Sequence, residues 1–138
     1  MKKLLCVILL IPFGFLISCN AQEQSNSIGK TGGTGPQKIN ARQAKALIDE
    51  GGPCIILDVR TEGEFNERRI DGSILIPDYE IAARAETELA DKNAVILVYC
   101  RSGVRSARAA QILAGMGYTN IYDLGGIINW PYDTVGNE

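Results

Sequence analysis

Four short runs in this chain are apolar almost without a break and rich in β-branched residues: "CIILDV" (54–59), "SILIP" (73–77), "AVILVY" (94–99) and "NIYDL" (120–124). None alternates polar with apolar as a strand with one wet face would, so each must be buried on both faces. Helical patterns separate them. Asn40, with Gln43 three residues on, caps a helix over 41–50 that stops at Gly51-Gly52. A short helix is expected over 62–68. Ile81, Ala85 and Leu89 share one face of a helix over 79–91, and 105–115 forms another helix. An edge strand near Lys38-Ile39 and a final turn over 127–130 complete the pattern. Buried strands, each separated by a helix, predict an α/β fold: a central parallel sheet of about five strands with helices on both faces.

The N-terminal region does not belong to that pattern. Met1-Lys2-Lys3 is basic and 4–17 is apolar, but the run is interrupted by Pro12 and Gly14. It is also shorter than the roughly 20 residues of a membrane span. It reads as a secretory signal. The closing "LISCN" (16–20) resembles the lipobox of bacterial lipoproteins, which implies diacylation of Cys19. The expected organisation is therefore a lipoprotein signal peptide over 1–18, a flexible tether over 19–36, a folded domain over 37–133 and a C-terminal tail over 134–138. The tether is poor in bulky apolar residues and cannot offset its ordering entropy by burial. The expected location is the bacterial cell envelope, exported and lipid-anchored, facing the periplasm or exterior. Asn20 suits outer-membrane retention in a Gram-negative cell. The membrane is engaged only through the lipid.

Without Lys2 and Lys3 the chain has 12 basic and 16 acidic residues, a net charge of −4. That balance argues against nucleic acid as a partner. There is no histidine, which removes Cys-His and Ser-His-Asp mechanisms and most zinc sites. No metal or cofactor is expected. Of four cysteines, Cys6 lies in the signal and Cys19 is the anchor, leaving Cys54 and Cys100 in the domain. Cys54 opens its strand, whereas Cys100 follows the end of a parallel neighbour. At about 3.3 Å per residue they fall at opposite edges of the sheet, beyond the ~7 Å Cα separation a disulfide tolerates. Cys54 is expected to be a small buried hydrophobe.

Cys100 sits at a strand-to-helix corner, "CRSGVR" (100–105). Gly103 allows the tight turn in which successive N–H groups face inward. The helix beginning near Arg105 adds its positive end, and Arg101 and Arg105 add full charges. These effects favour a thiolate, with a pKa below the free value of about 8.5. The corner is a cradle for an anionic group that the sulfur attacks.

From Gln37 to Trp130 the domain resembles a single-domain rhodanese (thiosulfate sulfurtransferase). The motifs are "ILDVRTEGEFNERRIDGSILIP" (56–77) and "YCRSGVRSARAAQILAGMGYTNIYDLGGIINW" (99–130). The resemblance implies a double displacement: Cys100 takes the outer sulfur of a donor such as thiosulfate as a persulfide, and cyanide or a thiol then removes it. It implies that the loop amides of Arg101, Ser102, Gly103, Val104, Arg105 and Ser106 hold the persulfide anion. Arg101 and Arg105 would bind the sulfonate oxygens, Arg105 as a fork. Asp58 and Arg60 support the loop and substrate entrance in the family; a salt-bridged surface pair, or a cap by Asp58 for the helix at Glu62, accounts for them equally well. Arg60 would add positive field.

Glu64 and Phe65 read as helix packing, Arg68, Arg69 and Arg108 as solvated, and Trp130 as core before pocket wall. The family often carries Gly-His-Ile-Pro-Gly-Ala where this chain has Arg68-Arg69-Ile70-Asp71-Gly72-Ser73, a departure at the pocket rim or acceptor-docking surface. Expected partners are a small sulfur-containing anion, a thiol acceptor and a redox or thiol protein. Two other readings compete: a non-catalytic persulfide carrier or sensor for a partner protein, and a phosphatase or arsenate reductase. The second is disfavoured because four residues separate Cys100 from Arg105, where those enzymes carry five.

Overall fold

The computed structural model describes residues 35–137. The signal segment, Cys19 and all but the last two residues of the tether lie outside the described residues. Five parallel strands make one sheet in the order β1-β5-β4-β2-β3: β1 (Gln37–Lys38), β2 (Cys54–Asp58), β3 (Ile74–Leu75), β4 (Val95–Cys100) and β5 (Asn120–Gly126). Helices α1 (Ala41–Asp49), α2 (Glu62–Glu67), α3 (Ile81–Glu88) and α4 (Val104–Gly115) fill the crossovers, and a 3₁₀ turn spans Ile127–Asn129. This is the α/β architecture expected from the unbroken apolar runs.

Alternation along β2 and β4 sorts the core. Leu57, Val59, Ile96, Val98 and Cys100 pack with Ile81, Ala85 and Leu89 of the α3 segment and with Ala109, Ala110 and Leu113 of α4. Leu97, Tyr99 and Asp58 project to the opposite face and are fully buried. Tyr99 accepts from the Ile70 N–H at 3.2 Å and sits 3.2 Å from the Ser73 hydroxyl, tying β4 to the connection before β3.

Several boundaries shift. The second apolar run supplies only two strand residues, at the sheet edge, with Ile74 exposed; beyond them the chain still leans on β2, the Ile76 N–H donating to the Asp58 carbonyl and the Asp78 N–H to the Val59 carbonyl, both at 3.0 Å. Cys100 is the last residue of β4 rather than the residue beyond it. Cys54 is half-buried rather than buried, and both domain cysteines are free thiols. The segment after Asp133 folds back onto the body: Val135 bridges Arg69 and the Asn137 N–H donates to the Asn66 carbonyl at 2.7 Å. Trp130 is outside the core, edge-on to Tyr132 at 5.0 Å between centroids.

Candidate active site

The site grows out of the carboxyl edge of β4, the central strand, where ligands bind in open parallel sheets. Gly103 turns the chain with φ +107, a conformation a side chain would strain, and its N–H donates to Cys100 Sγ at 3.0 Å. Helix α4 starts at Val104 with no side-chain cap. The first-turn N–H groups of Val104, Arg105 and Ser106 therefore have no helical acceptor and are available to an anion. Ser106 is buried; its hydroxyl donates to the carbonyls of Gly103 at 3.1 Å and Gly125 at 3.3 Å, which pins the loop to β5.

The strand beside the loop is shaped for it. Register slips by one residue between Val98 and Tyr99, so Gly125 and Gly126 face Tyr99 and Cys100. Asp123 holds the bulge by accepting from the Gly125 N–H at 3.0 Å. A Cβ on Gly126 would lie 2.5 Å from the Arg101 carbonyl oxygen and 2.7 Å from Ser102 Cα, so the cysteine loop rests directly on bare backbone. Gly125 and Gly126, which stand in the sequence only as part of the "YDLGGIINW" motif, are thus structural determinants of the site.

Cys100 is 1% exposed. Burial alone would push its pKa up. The N–H groups of Ser106 and Gly103, the Ser106 hydroxyl and the Ser102 N–H outweigh that, and the thiol lies below its ordinary range. A thiolate is thus favoured as expected, with backbone amides rather than arginines as the main cause.

The arginines are arranged otherwise than expected. Arg105 forms a two-pronged contact with Glu64, Nη1 to Oε2 and Nη2 to Oε1, both at 2.8 Å. Its fork is already occupied by protein. Glu64 also accepts from the Thr61 N–H at 3.1 Å and Oγ1 at 3.0 Å, so it joins the α2 capping box to the cysteine loop. Glu64 is therefore a site residue, not helix packing; its partner lies 41 residues away, beyond any local pattern. Hydrogen bonding by Arg105 is the main cause that, against some burial, holds the Glu64 carboxyl down at about 2, below its ordinary 4.5. Stability from this ionised form is fully present above about 4.5 and is lost as pH falls toward about 2. Glu64→Gln is expected to cost about 1–2 kcal/mol near neutral pH, a figure discounted because solvent reaches the pair. It should also flatten the acid limb in that window, as urea unfolding at a series of acid pH values will measure.

Asp58 and Arg60 form a buried pair, 0% and 4% exposed, rather than a surface one. Arg60 Nε donates to both Asp58 oxygens at 2.9 and 3.0 Å, Nη2 donates to Oδ2 at 2.6 Å and to the Arg68 carbonyl, and the guanidinium lies 5.5 Å over the Tyr99 ring. Thr61, not Asp58, caps α2. Arg60 thus braces the connection beneath the site, and its charge is balanced where it sits. Arg101 is exposed and has no ionic partner among the described residues. The remaining arginines are not merely solvated. Arg68 donates to the Ile127 carbonyl at 3.3 Å, Arg69 stacks 4.8 Å over Phe65 and donates to Asn137 Oδ1 at 3.0 Å, and Arg108 pairs with Asp78.

A buried cysteine whose thiol is held below its ordinary pKa by loop amides, at the carboxyl edge of a parallel sheet, is a candidate nucleophile. The chain belongs to the family described as "Rhodanese-like domain", whose profile matches residues 40–131. It is 38% identical over 71 residues to "Thiosulfate sulfurtransferase PspE" of Escherichia coli, covering 51% of this chain and 68% of that one. It is 36% identical over 94 residues to a "Sulfurtransferase" of Allochromatium vinosum, covering 67% and 86%. Of the longer adenylyltransferase and sulfurtransferase of Zea mays, the match spans only 21%. Among solved structures, "rhodanese with anions from E. coli" matches with a TM-score of 0.57 at 34% identity, over 60% of this chain and 98% of that chain. The rhodanese-like domain of an Anabaena protein matches with a TM-score of 0.66 at 29% identity, over 73% and 79%. The fold is the rhodanese fold, and the family and these relatives support sulfurtransferase activity in general.

Proposed function

We propose that this protein moves sulfane sulfur from thiosulfate or a persulfide donor to a thiophilic acceptor, cyanide or a thiol, through a persulfide on Cys100. The observation that carries this reading is the Gly103 N–H on Cys100 Sγ, at the mouth of an uncapped helix. The thiolate attacks the outer sulfur of thiosulfate, the S–S electron pair leaves with sulfite, and the negative charge passes to the new terminal sulfur. Sulfite departs without a proton, so the lack of histidine is no obstacle. Amides that favour the thiolate then meet the persulfide anion. Arg101, exposed and without an ionic partner among the described residues, is available to steer the donor's sulfonate.

A phosphatase or arsenate reductase is disfavoured further by the Glu64–Arg105 pair, since the loop arginine would have to abandon a carboxylate to grip an oxyanion. A carrier or sensor role would use the same persulfide, handed to a thiol protein. In this reading the domain is exported and tethered by lipid on Cys19, where an oxidising compartment makes a persulfide cap or a reductant necessary for Cys100. The test is intact mass after thiosulfate treatment. One added sulfur, removed by cyanide with thiocyanate formed, is the expected result; no added sulfur with thiosulfate or any organic persulfide overturns the reading.

A further inference from the structure

Beside the cysteine loop lies an open cleft of about 310 Å³, larger than a five-heavy-atom thiosulfate requires. Its walls carry charges of both signs. Arg101 has no ionic partner among the described residues, and neither does the Glu67 carboxylate. Arg68 also lines the cleft, braced on the Ile127 carbonyl, where the family often has glycine. The floor is apolar: Ile127 is buried, and Ile128, 59% exposed, has its N–H 3.3 Å from the Arg101 carbonyl. Glu64 lines the same cleft and keeps the Arg105 fork from any ligand. With Glu64 neutralised by Arg105 and Arg60 by Asp58, the charges left in the lining are Arg68, Arg101 and Glu67; a dianion finds no use for Glu67, while a zwitterion with a short aliphatic stem meets a partner for each end.

Building on the sulfurtransferase reading above, we infer that the preferred sulfur donor is an amino-acid or small-peptide persulfide. Its carboxylate is held by Arg101 and Arg68, its ammonium by Glu67, and its stem lies on Ile127 and Ile128. The transfer balances without a further reactant. The Cys100 thiolate attacks the terminal sulfur of R–S–SH, the S–S bond breaks, the electron pair leaves as R–S⁻, and the proton stays on the transferred sulfur as Cys100 persulfide. The Cys100 sulfur is oxidised by one level as the donor's inner sulfur is reduced by one, so no outside oxidant or reductant is needed. Glu67 and Arg101 act as specificity residues, distinct from the groups that activate the cysteine.

The experiment compares kcat/KM for three donors: cysteine persulfide, 3-mercaptopropionate persulfide, which lacks the ammonium, and thiosulfate. Wild type is expected to favour cysteine persulfide over its des-amino analogue by about tenfold, the worth of one charged hydrogen bond. Glu67→Gln should erase that preference while thiosulfate turnover rises as a negative wall charge is lost. Arg101→Gln should weaken both persulfides. Equal use of the two persulfides by wild type, or a preference that survives Glu67→Gln, overturns the inference while leaving sulfur loading intact. Failure of all three donors to load Cys100 overturns the sulfurtransferase reading as well. Glu67 is exposed at the end of α2, so circular dichroism should show the variant folded.

Discussion

Cys100→Ser is expected to lower sulfur transfer by about a thousandfold or more, with no sulfur added in the intact-mass assay. The reason is acidity. The amides of the cradle bring the Cys100 thiol below its ordinary value of 9.0. A serine hydroxyl lies several units higher and the same amides cannot ionise it. Folding should survive, because serine is the near-isostere of a side chain whose surroundings already offer N–H donors. Cys54→Ser supplies the control. Cys54 opens β2 opposite Val95, five residues before Cys100 on β4, or roughly 16 Å away along the strand. Burial pushes its thiol up rather than down. Loading of the Cys54→Ser variant should match wild type. For the wild-type protein, loading should rise with pH as Cys100 ionises and level off below 9.0. Because the folded pKa is the lower one, the thiolate also adds stability as pH climbs from that value to the unfolded one, and Cys100→Ser should remove this increment.

Gly126→Ala is the second large effect. The added methyl meets two backbone groups of the cysteine loop, at 2.5 and 2.7 Å, and backbone cannot swing aside as a flexible side chain does. The loop must lift from β5. We expect a loss of about 1–3 kcal/mol in stability, the range for overpacking. A larger relative loss, about a hundredfold, is expected in sulfur loading, since displacement by about 1 Å disorganises the amides that hold the sulfur. Gly115→Ala is the matched control, at the end of α4 with open space around its Cβ position. It should be neutral or slightly stabilising. Urea unfolding and the intact-mass assay, run on both variants, separate the two effects; a Gly126→Ala protein that loads at the wild-type rate would show that the loop tolerates displacement.

Other features of the site depend on contacts that no local pattern carries. Arg105 looked like a substrate fork because it follows Cys100 at the spacing of an anion loop, and spacing cannot reveal that Glu64 reaches it from α2. The same holds for Asp58 and Arg60. Two opposite charges at one strand end read equally well as a surface pair, but the strand belongs to the sheet interior and the pair is sealed by Tyr99 and the Arg68 carbonyl. Arg68 read as a solvated surface charge; its contact with the Ile127 carbonyl, 59 residues on, places it in the lining of a cleft.

The amino-acid sequence by itself determined the architecture and the place of Cys100 within it. Unbroken β-branched runs can be buried only in a two-sided parallel sheet. A cysteine at the end of such a run, followed by glycine and a helix, can only sit at the carboxyl edge among free amides. Those inferences rest on neighbours in the chain. Tertiary structure decided which charges are available to a ligand, because ion pairing depends on distance in space. Arg105 is closed by Glu64, Arg60 is closed by Asp58, and Arg101 is left open, although all three carry the same guanidinium.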